Sequence, residues 1–140
     1  MLLDSRVIPK VANILKREDF YSADHQVIYD AILDLFDKGK PADLVLLSEV
    51  LASRGELERI GGPDYLVSLV EKVPSAAHAE HYANIVRAAS MRRRLIHSTT
   101  AILRDCYDQS ISVEELLDRA QEEIFRVSPV SYTHLTLPTN

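Results

Sequence analysis

An all-α fold, a small helical bundle followed by a protruding antiparallel hairpin of two helices, is what this sequence predicts. Three observations carry the prediction. Apolar residues recur at helical spacing in one segment after another. The punctuation is that of helices, with Ser or Asp ahead of apolar runs and Gly or Pro behind them. From Ala76 to Tyr107 there is neither glycine nor proline, a stretch on the order of 45 Å long as a helix.

Each element has its own justification. Asp4 or Ser5 can cap a short first element, and Pro9 fits only near a helix start, so a helix is expected over 9–15 with Val11, Ile14 and Leu15 inward. Ser22 is a good N-cap for a helix over 23–38, which presents Val27, Ile28, Ala31, Ile32, Leu35 and Phe36 on one face. Gly39 stops it and Pro41 prevents its resumption. Asp43 caps a third helix over 44–54, ended by Gly55, with Leu44, Leu47, Val50 and Leu51 on one stripe. The turn Gly61-Gly62-Pro63 leads to a helix over 64–72, and Pro74-Ser75 breaks the chain again.

The long segment that follows carries Tyr82, Ile85, Val86, Ala89, Ile96, Thr99, Leu103 and Cys106 as a near-heptad stripe. After the turn Asp108–Ile111, the run Ser112-Val113-Glu114-Glu115 matches a capping box and opens a helix over 113–127. Two helices joined by so short a turn should lie antiparallel. The hairpin therefore spans 76–128 and the head 1–75.

Composition sets outer bounds. The 140 residues are 46% hydrophobic and 26% charged, which suits one domain with a real core. No apolar run approaches the ~18 residues of a membrane span, and no signal peptide opens the chain. The single cysteine, Cys106, fits a reducing cytoplasm and is expected to be a buried, inert thiol on the apolar stripe. None of the four glycines begins a G-x-x-x-x-G-K-[ST] or a G-x-G-x-x-G, so the phosphate cradles made by such loops are absent. No set of residues has the spacing of a catalytic site.

Charge is distributed unevenly around a net of −5. Residues 81–104 hold five arginines and no acid, whereas residues 105–140 hold seven acids and two bases. Antiparallel pairing would set the basic stretch around Arg92, Arg93 and Arg94 beside Glu114, Glu115, Asp118, Glu122 and Glu123. Those arginines, with Arg87, are the candidate phosphate contacts. Three consecutive helical residues spread over about 200° of arc, however, and so form no single patch. One of Arg92 or Arg93 falls where the apolar stripe should continue, a place where a partner's carboxylate could be bound. His78 and His81 share a helix face with Glu80 between them, but two imidazoles fall short of a zinc site, so no metal is assigned. His25 reads as a hydrogen-bonding or packing histidine.

A protruding hairpin cannot bury both apolar faces on itself, so it is expected to dock a neighbour or a second copy. The residues assigned to that association are Ile85, Val86, Ala89, Ile96, Leu103, Leu116, Leu117, Ala120 and Ile124; about half of them are expected to pack within one copy instead.

A family resemblance lies across the same residues. Asp19-Phe20-Tyr21, His25, Ile28-Tyr29, Ala31-Ile32, Gly39-x-Pro41-x-Asp43, Gly55-x-Leu57 and Ile60-Gly61-Gly62 occur in order. Tyr65-Leu66, Val73-Pro74-Ser75-Ala76-Ala77, Tyr82-Ala83 and Ile85-Val86-Arg87 follow. This series closely resembles the N-terminal domain of the bacterial replicative DNA helicases, the DnaB family. The resemblance implies a collar that builds a hexameric ring through paired hairpins and docks primase. It also implies a parent protein that is an ATP-dependent DNA-unwinding motor, with ATP, Mg²⁺ and single-stranded DNA handled by a RecA-like domain outside this stretch. No cofactor is expected in the stretch itself.

Two departures from the family stand out. The family's first helix, of the form E-A-E-x-x-x-L-G, is missing ahead of Leu2-Leu3-Asp4, which should leave part of the head's core uncovered. The run Val130-Ser131-Tyr132-Thr133-His134-Leu135-Thr136-Leu137-Pro138-Thr139 has no counterpart in the family and resembles a translated transposase-adapter end, so 129–140 is read as a non-native tail. Two other readings stay open on the residues alone: a stand-alone helical dimerisation or interaction protein, and a small nucleic-acid-binding module working through its arginines.

Overall fold

A computed structural model describes residues 1–73 and 75–127; the segment read as a non-native tail lies outside them. Six α-helices follow one another: α1 (Ile8–Ile14), α2 (Ala23–Asp37), α3 (Leu44–Ser53), α4 (Gly62–Glu71), α5 (Ala79–Cys106) and α6 (Val113–Val127). Short 3₁₀ turns at Ser5–Val7 and Arg17–Asp19 flank α1, and no strand occurs among the described residues. The predicted boundaries hold to within a turn.

The caps explain why the boundaries were readable. Asp4 accepts from the Arg6 amide at 2.9 Å, and Ser22 from the His25 amide at 3.4 Å. Asp43 accepts from the Leu46 amide at 2.8 Å, and Ser112 from the Glu115 amide at 3.2 Å. Each takes up an N–H that the helix cannot pair internally. The capping box at α6 forms only by half, because the Glu115 carboxylate turns down the helix to Arg119, 3.0 Å away. At the other end of α2, Gly39 at φ 70° lets the Lys40 amide return to the Leu35 carbonyl at 2.9 Å, the left-handed close that a side chain would strain.

The chain divides into two compact units, Met1–Ala88 and a second beginning at Ala89. In the first, Ile28, Ala31, Ile32 and Leu35 of α2 meet Leu47 and Leu51 of α3, with Ile60 and Leu66 closing the cluster. A second cluster joins Val11 and Leu15 to Tyr29 and to Ala83 on the first turns of α5. The second unit is the α5–α6 hairpin, joined by Tyr107–Ser112. Ser98 Oγ donates to the Glu123 carbonyl at 3.3 Å, and Asp105 pairs with Arg119 at 3.7 Å, so the helices run antiparallel.

Candidate association surface

The hairpin contacts set a register that differs from the expected one. Ser98 stands opposite Glu123 and Asp105 opposite Arg119, which places Glu114 and Glu115 beside the end of α5. That is about 20 Å along the axis from Arg92–Arg94. The cross-helix ion pair also has its signs reversed, with the acid on α5 and the base on α6. The loop is the cause: a turn of only six residues pairs the end of α5 with the start of α6 first. Arg92 is exposed, whereas Arg93 and Arg94 are half-buried and make interactions of their own.

The expected association residues fall into two groups. Ile85, Ala89, Ile96, Leu103, Leu117 and Ile124 are exposed, Leu117 at 61% and Ile96 at 58%. Val86, Leu116 and Ala120 are half-buried, and Val86 packs against the Tyr29 cluster of the first unit. On α6, Val113, Leu117, Ala120 and Ile124 recur at intervals of four, three and four, forming one stripe that remains largely in water. Cys106 corrects the expectation of a buried thiol. It is exposed, because α6 meets the Ser98–Asp105 side of α5 and leaves the later part of the near-heptad stripe, from Ala89 to Cys106, uncovered.

Within the first unit the sequence reading missed a polar clasp. Asp19 is fully buried; it accepts from the Lys16 amide at 2.7 Å and lies 3.6 Å from the Arg87 guanidinium. Arg87 also donates to the Ile14 carbonyl at 3.5 Å, and Tyr29 Oη donates to the Leu15 carbonyl at 2.8 Å. The frayed end of α1 thus finds its partners on α2 and α5, as buried carbonyls must. Arg87 is therefore committed to the head, not offered as a phosphate contact. The only hint in the sequence was a tyrosine, Tyr29, next to the inward positions of α2.

Burial, joined by the nearby Asp19 and Asp30 charges, pushes the Tyr29 phenol up to about 12. An unfolded tyrosine ionises near pH 10, so unfolding releases a proton above that pH. Tyr29 therefore contributes stability that is complete below pH 10 and lost as pH rises toward about 12. Denaturant unfolding at pH 9 and pH 11 should show a steeper loss for the parent than for Tyr29→Phe. Equal slopes would mean that the phenol ionises freely in the fold.

Beside the clasp the head carries an open apolar groove of about 330 Å³, lined among others by Leu2, Leu15, Phe20, Val73 and Tyr82. His25 stands on its wall and shares a 2.8 Å hydrogen bond with Tyr65 Oη, the hydrogen-bonding role expected of it. His78, in the turn before α5, and His81, on the first turn of α5, are both exposed, and no group of three metal-ligating side chains forms among the described residues.

These features define the class first: an all-helical domain made of a small head and a two-helix hairpin that leaves apolar stripes exposed. The family model for the DnaB-like helicase N-terminal domain matches residues 1–88, and the chain belongs to that family. It is 43% identical over 128 residues to the replicative DNA helicase DnaB of Geobacillus stearothermophilus, covering 91% of this chain and 28% of that one. It is 44% identical to the DnaB of Mycobacterium leprae, covering 91% of this chain and 22% of that one. The chain thus spans less than a third of these relatives. The crystal structure of the N-terminal domain of DnaB helicase from Mycobacterium tuberculosis superposes with a TM-score of 0.83 at 43% identity, covering 89% of this chain and 88% of that one.

Proposed function

We propose that this domain is the oligomerisation collar of a hexameric replicative helicase, pairing hairpins between copies and docking primase. Its parent is read as a cytoplasmic ATP-dependent DNA-unwinding motor, in which ATP, Mg²⁺ and single-stranded DNA belong to a motor domain outside this stretch. Family membership supports the setting. The observation that carries the association is the α6 stripe, on which Val113 and Leu117 are 68% and 61% exposed. A contiguous apolar stripe of this kind on a folded domain marks an interaction surface.

Sedimentation equilibrium tests the reading. The parent chain should self-associate, and Leu117→Asp should weaken that association by about tenfold or more, because a carboxylate would be desolvated inside an apolar contact. A variant that associates as tightly as the parent would remove the α6 stripe from the interface. Primase docking is tested separately by titrating a labelled bacterial primase with the domain; absence of binding at micromolar concentration would reject it. The commitment of Arg87 to Asp19 disfavours the arginine-dependent nucleic-acid module, and the isolated domain should not bind single strands at physiological salt.

A further inference from the structure

We draw no further inference here: the strongest candidate, the open apolar groove of about 330 Å³ in the head, walled by α1, α2, α4 and the first turns of α5, carries none, because nothing in the structure shows what covers it.

Discussion

Replacing Arg87 by leucine should lower the stability of the head by about 2–3 kcal/mol, although the substituted side chain is itself part exposed. The reason is the group left behind. Asp19 is 0% exposed, and its carboxylate was desolvated in the presence of the Arg87 guanidinium. Removing one partner of a buried pair costs roughly 3–5 kcal/mol. The lower value is expected here because Arg87 keeps 32% of its side chain in water and the pair is 3.6 Å apart. For a unit of this size the change corresponds to a fall in Tm of about 10–20 °C, measurable by calorimetry or circular dichroism. Asp19→Asn combined with Arg87→Leu should recover part of the loss, since the buried charge is then gone and the Lys16 amide still has an acceptor. A single Arg87→Leu variant as stable as the parent would show that the carboxylate is satisfied without the arginine.

Leu47→Ala should be about as damaging for a different reason. Leu47 is fully buried, packed where α2 and α3 meet with Ile28, Leu35 and Leu51. Removing its branched end loses the transfer free energy of the deleted carbons and leaves a cavity that rigid neighbours fill only in part. The expected cost is about 3 kcal/mol, within the roughly 2–5 kcal/mol found for such changes. Val45→Ala, two residues earlier on the same helix and 68% exposed, should change stability by no more than about 0.5 kcal/mol. The contrast separates packing from helix propensity, because both variants gain the same good helix former. Chemical denaturation of the pair checks it, and similar losses in the two would mean that Leu47 does not sit at the centre of the core.

How much of this could be read from residues alone differs between the helices and their contacts. α6 was placed at 113–127 with both ends right, because its start is written in Ser112 and its face in the spacing of Val113, Leu117, Ala120 and Ile124. Gly39 and Gly55 marked the ends of α2 and α3, since both helices close through a left-handed residue that glycine adopts without strain. His25 was read as a hydrogen-bonding residue, but its partner, Tyr65, lies forty positions away and no local pattern points to it. The stripe position of Cys106 predicts burial, yet the thiol is exposed. A stripe shows which residues avoid water in some state of the protein; it does not show that they are covered within one copy.

The sequence by itself determined the six helices, the turns between them and membership of the DnaB family, because caps, glycines and apolar spacing act over one or two turns of chain. Only the tertiary structure decided that Asp19 is buried against Arg87, that Tyr29 closes the end of α1, and that the hairpin register carries Glu114 and Glu115 away from Arg92. Those outcomes depend on which distant surfaces meet. A charge or an apolar face has no fixed partner until the helices that carry it have packed.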